Sequence, residues 1–338
     1  MGLRVLSLFD GIACGMQAFK ELGIPIDVYY ALEIEKNAIK VATANHPEII
    51  EIGDVTEINF NDYIGKIDIV IGGSPCQGFS VMGKQLAFKD ERSALIKYFF
   101  EAIETIKPRY FLLENVVMQK QYEKNISDTL DVQPVKIDAA LVWYTQRKRL
   151  YWTNIPNVII PNQIPNLTLR HMPREFFKFS KPELDLILNK DPLTEDYDHC
   201  HCIGYTSLKK SGCQAVYDAC GKYPTILTNG NKRCFFSKEY KAHGGHRCYD
   251  QHGKFPTVTT GGKNRTTWTI DENHELLRPN VWGFEFLHGL PKDYTKAAGE
   301  GGEHCRVPLV GNGWCVPVIK HIFSFIPKED YGDVNEEG

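Results

Sequence analysis

Short apolar runs separated by longer mixed stretches set the rhythm of residues 1–155. Arg4–Phe9, Asp27–Leu32, Ile49–Ile52, Ile67–Ile71, Tyr110–Leu113 and Leu150–Thr153 have the length and composition of β-strands. Met16–Leu22, Lys36–Asn45 and Ser93–Ile106, lying between them, read as helices. Strand, helix, strand in succession is the pattern of βαβ units. Runs such as "IDIVI" and "YFLL" are apolar without alternation, as strands buried on both faces of a parallel sheet are. The expected fold class is therefore α/β.

The pattern changes after residue 153. "NIPNVIIPNQIPNLTLRHMP", 154–173, has four prolines and no period, and reads as an extended crossing between domains. An acidic stretch around Glu183–Asp198 follows, and then an internal repeat. "YDACGKYPTILTNGNKRCF" starts at Tyr217 and "YDQHGKFPTVTTGGKNRTTW" at Tyr249, a period of 32. Each copy has a turn, a Pro-Thr element with β-branched residues and a Gly/Asn-rich basic loop. Two copies are too few for a solenoid, so paired β-hairpins carrying cationic loops are expected. At the end, "PLVGNGWCVPVIKHIFSF" returns to a glycine turn leading into an apolar helix.

Composition adds two constraints. The chain has 338 residues, 43% apolar and 24% charged, and no apolar stretch near the 18 or so residues of a membrane span. "MGLRVLSLFDG" lacks the basic start and long apolar core of a signal peptide, since Asp10 ends the run. The ten cysteines show no framework spacing and are expected as reduced thiols in a cytosolic compartment. The net charge of −3 hides an asymmetry: residues 199–268 hold eleven Lys or Arg against three Asp or Glu. That local +8 leaves −11 for the remainder, a basic patch on an acidic body that suits a polyanionic partner.

Three constellations carry chemistry. "LSLFDGIACG" puts a glycine turn after the first strand, and Glu33 ends the next, 22 residues beyond Gly11. A close backbone approach plus a carboxylate for ribose hydroxyls suits an adenosine ligand. The diphosphate pattern G-x-G-x-x-G is absent, which favours an adenosine cofactor such as S-adenosylmethionine over a dinucleotide. A plain βα turn with a surface Glu is the alternative. Asp54 of "GDV" could accept from an adenine amino group or be an ordinary turn residue. In the second constellation, "GGSPCQGFS" follows one strand and "ENV" ends another. A right-handed crossover brings Cys76 and Glu114 to one sheet edge. Cys76 alone would read as an inert buried thiol. Beside a carboxylic acid, a thiolate suits attack on cytosine C6 with proton donation to N3, which makes C5 nucleophilic towards a sulfonium methyl. The third is "TQRKRLYW", where Arg147 and Arg149 alternate by two and share a face if extended. One could bind the ring O2 while the other orders the pocket.

With these motifs in order over nearly its full length, the chain resembles the cytosine-C5 DNA methyltransferases. "SLFDGIACG" is similar to the family's first cofactor motif, "GGSPCQGFS" to its nucleophile motif and "LENV" to its acid motif. "QRKR" is similar to the arginine motif and "GNGWCVPV" to the closing cofactor motif. The catalytic phrasing resembles the animal de novo enzymes, and the basic segment the recognition domain of bacterial and phage enzymes, with "PTLTT"-like elements at Pro224–Thr228 and Pro256–Thr260.

The resemblance implies a Rossmann-like S-adenosylmethionine-dependent methyltransferase sheet with a smaller, mainly β target recognition domain. Residues 1–165 and 276–330 would form the catalytic domain and 166–275 the recognition domain. Cys76 is then the nucleophile, Glu114 the acid, and Arg147 and Arg149 the ring and pocket ligands. Phe9, Asp10, Gly11, Ile12, Ala13, Cys14, Glu33, Asp54, Val55, Thr56, Pro75, Leu95, Asn312, Gly313 and Trp314 would surround S-adenosylmethionine. Residues 79–95 are similar to the loop that closes over DNA. Gln77, Ser80, Met82 and Lys84, with Lys232, Arg233, Thr257, Lys263 and Arg265 of the repeat loops, would contact duplex DNA around a flipped cytosine. In one departure, "VWGFEFLHGLP" has Phe286 where the family's recognition-domain scaffold has an arginine.

Other readings stay open: an RNA cytosine-C5 methyltransferase, a non-catalytic DNA-binding regulator on the same scaffold, or a nucleotide-dependent oxidoreductase. The Cys/His-rich stretch from "HCHC" at 199–202 to Cys248 lacks paired CxxC spacing, so no metal is expected. The aromatics of the basic segment are expected as a small core. A monomer is expected, without an obligate protein partner, in the cytoplasm of a bacterial or phage-infected cell.

Overall fold

The computed structural model describes residues 1–74, 95–165, 167–168, 171–180, 187–188, 201–208, 212–218, 247–250, 267–270, 276–299 and 302–332. Its centre is a seven-stranded sheet of β1 (Leu3–Leu8), β2 (Ile26–Leu32), β3 (Ile50–Gly53), β4 (Ile69–Gly72), β5 (Tyr110–Val116), β6 (Val135–Asp138) and β7 (Lys148–Thr153). The order is β3-β2-β1-β4-β5-β7-β6, parallel through β5, with β7 antiparallel to both its neighbours. This is a Rossmann-like sheet, with two features the pattern did not predict. "VKID" is too short and polar to mark β6 as a strand. The parallel pairing ends at β5, because β6 and β7 are joined by a short connection that carries no crossover helix.

Among the described residues seven helices flank the sheets: α1 (Cys14–Leu22), α2 (Lys36–Asn45), α3 (Ile96–Ile106), α4 (Lys120–Leu130), α5 (Val281–Leu287), α6 (Glu303–Asn312) and α7 (Val316–Phe323). α1 stops at Gly23, whose φ of 67° lets its N–H turn back to the carbonyls of Phe19 and Lys20. Successive residues of one strand feed opposite cores. Ile69 and Ile71 pack with Tyr29, Phe19 and Phe323 on the α1/α7 side, whereas Val70 packs with Phe99, Phe111 and Ile126 on the α3/α4 side. Both faces are dry, which is why these strands show no polar alternation. Phe19 stacks on Phe323 with centroids 4.2 Å apart, fixing the last helix against the first.

Among the described residues seven more strands form two small sheets: β8 (Phe177–Ser180), β9 (Ile187–Leu188), β10 (His201–Leu208), β11 (Gly212–Asp218), β12 (Arg247–Asp250), β13 (Thr267–Ile270) and β14 (Leu276–Pro279). One is ordered β11-β10-β9 and the other β12-β13-β14-β8. β12 and β13, at the two ends of the second repeat copy, pair in parallel, so they are not the arms of a hairpin. The remainder of both copies, with Pro224–Thr228 and Pro256–Thr260, lies outside the described residues. β13 and β14, on either side of the boundary expected at 275, pair within one sheet. Phe286 packs against Trp143, Tyr144 and Phe176. An aromatic cluster therefore ties α5 to the chain entering β8, where the family pattern has an arginine.

Candidate active site

Five parallel strands end at one edge of the sheet, and the expected chemistry-bearing residues gather there. β1 runs into Phe9 and Ala13, whose φ values of 57° and 59° are left-handed. Non-glycine residues seldom adopt that region, at a cost of order 1–3 kcal/mol each, and the surroundings hold them there. Asp10 Oδ1 accepts from Ser7 Oγ and from the Tyr29 hydroxyl, both at 2.6 Å. Its Oδ2 is buried and has no partner. Burial, with some help from Glu33, pushes the Asp10 carboxyl up to about 6. Ile12, Ala13 and Cys14 bury their side chains in the core, so they offer a ligand only backbone.

Glu33 follows β2 directly. Its Oε2 accepts from Gly11 N at 2.8 Å, and its Oε1 from Ile34 N and Glu35 N at 2.8 Å, which ties the second strand end to the glycine turn. Ile34 is 69% exposed beside this carboxylate, an apolar surface at the site that the sequence reading missed. Its signal was local, a lone isoleucine between two acids just past a strand. Asp54 follows β3 and accepts from Thr56 N at 2.8 Å, while Val55 points into the core. Leu95 precedes α3 and packs against the core on that side. Glu51, also missed, has both carboxylate oxygens buried without partners, and burial followed by Asp10 and Glu33 pushes it up to about 7.

The acid lies where β4 and β5 run side by side. Gly72 pairs with Leu113, and β5 continues through Glu114 because β7 still pairs with it. Glu114 Oε1 makes an ion pair with Arg149 Nε at 2.9 Å, and its Oε2 accepts from Trp314 Nε1 at 3.2 Å. Asn115 Nδ2 donates to Ser74 Oγ at 3.0 Å, fixing the chain that leaves β4 against the strand bearing the acid.

The two arginines part company. Arg149 lies in β7, whereas Arg147 precedes the strand and directs its guanidinium to the carbonyls of Gly313, at 3.0 Å, and Gly311, at 3.4 Å. Arg147 is 4% exposed, and burial pushes it down to about 10, still charged at neutral pH. It orders the closing segment, and Arg149 is the one beside the acid. Asn312 is exposed on that segment. Pro75, Cys76, Gln77, Ser80, Met82 and Lys84, and likewise Lys232, Arg233, Thr257, Lys263 and Arg265, lie outside the described residues.

Comparison with known proteins finds similarity in sequence over part of the chain and in fold over most of it. Residues 3–133 match the family model for C-5 cytosine-specific DNA methylases. The orphan methyltransferase M.Rho11sI of Bacillus phage rho11s is 42% identical over 119 residues, 34% of this chain and 23% of that protein. The type II methyltransferase M.Eco47II of Escherichia coli is 42% identical over 114 residues, 33% of this chain and 27% of that protein. The chain thus spans about a quarter of the length of these relatives. Among solved structures, the Entamoeba histolytica methyltransferase EhMeth superimposes with a TM-score of 0.65 at 14% identity, covering 98% of this chain and 100% of that one, a likeness of fold. With the glycine turn, the carboxylate and their strand order in place, residues 3–133 are similar to the C-5 cytosine-specific DNA methylases, a likeness that covers well under half of the chain.

Proposed function

We propose that the chain is a DNA (cytosine-5-)-methyltransferase that moves a methyl group from S-adenosylmethionine to C5 of a cytosine turned out of duplex DNA. The observation that carries this reading is Glu114, held between Arg149 and Trp314 beside the Ser74–Asn115 tie. Cys76 is two residues beyond Ser74 in the chain, and two residues span at most about 7 Å.

The edge fits the methyl donor. Glu33 and Asp54 offer carboxylates at two strand ends, Ile34 offers an apolar face for adenine, and the partnerless Oδ2 of Asp10 favours a cation. Phe9, Gly11, Ile12, Ala13, Cys14, Val55, Thr56, Pro75, Leu95, Asn312, Gly313 and Trp314 complete the proposed surroundings. When bound, the donor supplies an electrophilic methyl on a sulfonium. Cys76 as thiolate adds to C6, and Glu114 gives a proton to N3, so that C5 carries the electron density. Once C5 has taken the methyl group, loss of its proton to a base re-forms the C5–C6 double bond and expels the thiolate. Arg149 holds the acid, and Arg147 holds the closing segment. Residues 166–275, with their excess of Lys and Arg, would grip the duplex, and flipping the base costs a few kcal/mol that these contacts offset.

Transfer of a tritiated methyl group to DNA, with Cys76→Ala in parallel, tests the proposal. Incorporation is expected with the wild-type chain and at least 10³-fold less with the variant. Undiminished transfer by the variant would overturn the covalent route.

A further inference from the structure

The closing segment between α6 and α7 does more than line a cofactor cleft. Trp314 extends from it across the sheet edge, and its indole N–H donates to Glu114 Oε2 at 3.2 Å, while Arg149 takes Oε1 at 2.9 Å. The carboxyl group is thus gripped through both oxygens by donors from two separate segments. Gly73 makes room for this contact: a Cβ there would stand 2.6 Å from the indole nitrogen and 3.1 Å from Glu114 Oε2. An indole is rigid and wedged in place, so such a side chain could not be accommodated by a simple swing of a flexible tip. The segment carrying Trp314 is itself fixed, by Arg147 binding the carbonyls of Gly311 and Gly313. Arg147 therefore fixes the indole, and the indole and Arg149 fix the acid.

We propose that Trp314 is a positioning residue for Glu114, orienting the carboxyl group that protonates the target ring. This rests on the methyltransferase reading above and assigns Trp314 a task separate from holding the methyl donor. A residue that only held the donor would act through donor affinity. A residue that orients the acid acts on the addition step, which needs no donor: attack at C6 with protonation at N3 lets the C5 hydrogen exchange with water. One N–H removed from a carboxylate that must meet a ring within tenths of an ångström is expected to slow that step ten- to a hundredfold.

The test uses the full chain with Trp314→Phe, which keeps an aromatic ring and loses the donor. Two quantities are read: kcat at saturating S-adenosylmethionine, and the donor's Kd by calorimetry. A third is tritium release from DNA labelled at cytosine C5, without donor. The expected result is a fall in kcat of at least about tenfold with Kd changed by less than about threefold, and a matching fall in tritium release. If kcat is unchanged at saturation, or if all lost activity returns with excess donor, the positioning role is wrong. Should Trp314→Phe fail to fold, Gly73→Ala carries the test, because it displaces the retained indole; the same split between kcat and Kd is expected. Failure of the underlying reading looks different, since the wild-type chain would then transfer no methyl group to cytosine at all.

Discussion

Among the described residues, Asp10 and Glu51 are the carboxyl groups that the sheet edge leaves short of partners, and their environment raises them to about 6 and about 7. Asp10, raised to about 6, is charged at pH 7.5 and protonated by pH 5. A cationic methyl donor favours the charged form, so its affinity should fall as pH drops through 6. Calorimetric titration of S-adenosylmethionine between pH 5 and 8 checks this, and Asp10→Asn should flatten the dependence. Glu51 acts on stability. Its carboxyl is raised from 4.5 to about 7, so folding favours the protonated form. That contribution is present below pH 4.5 and is lost as pH rises through 7. Glu51→Gln should therefore be more stable than the wild-type chain at pH 8, by on the order of 1–3 kcal/mol, with the gap closing towards pH 5. Denaturant titrations at both pH values measure it, and a gap independent of pH would contradict it. Neither behaviour could be read from sequence. An acid inside "IEIGDV" shows its spacing but not that its oxygens are buried.

At the scale of elements, strands buried on both faces were legible because their apolar runs are continuous, and α2 was legible to the residue. β6 was not, since four residues with a central lysine carry no signal of their own and become a strand only by pairing with β7. The arginine pair illustrates the same limit. Spacing by two gives both one face only if the stretch is extended, but the strand begins at Lys148, and Arg147 follows Gly311 and Gly313 instead. Phe286 stands where the family pattern expects an arginine, and α5 is braced from elsewhere. Arg306 of α6 bonds Glu285 Oε1 at 2.8 Å, Asp293 Oδ1 at 3.1 Å and Thr295 Oγ1 at 2.8 Å. Glu285 is fully buried, so Arg306→Met strands a charge. A loss of about 3–5 kcal/mol is expected, with much of it regained in the Glu285→Gln/Arg306→Met double variant. Chemical denaturation of both variants decides between this brace and a surface pair, which would cost under about 1 kcal/mol.

For the whole molecule, the division of labour follows from charge and topology. The strand ends bring acid, arginine and proposed donor contacts to one edge, while the excess of Lys and Arg lies in residues 199–268. Among the described residues no helix is long and apolar enough to cross a membrane. The order of motifs made the strand ends of the large sheet legible, because a right-handed crossover dictates which of them become neighbours. The basic half was legible only as charge and repeat, and its strands pair in a way no turn residue announced. In the proposed reaction the sulfur at position 76 bonds to cytosine C6 with Glu114 assisting. Duplex DNA made with 5-fluorocytosine throughout tests it most directly, because fluorine at C5 cannot leave as a proton does and the adduct persists. Incubated with S-adenosylmethionine, the wild-type chain should give a denaturation-resistant protein–DNA band that Cys76→Ala does not give. No band with the wild-type chain under conditions where it methylates ordinary DNA, or an equal band with Cys76→Ala, would rule out the bond between that sulfur and cytosine C6.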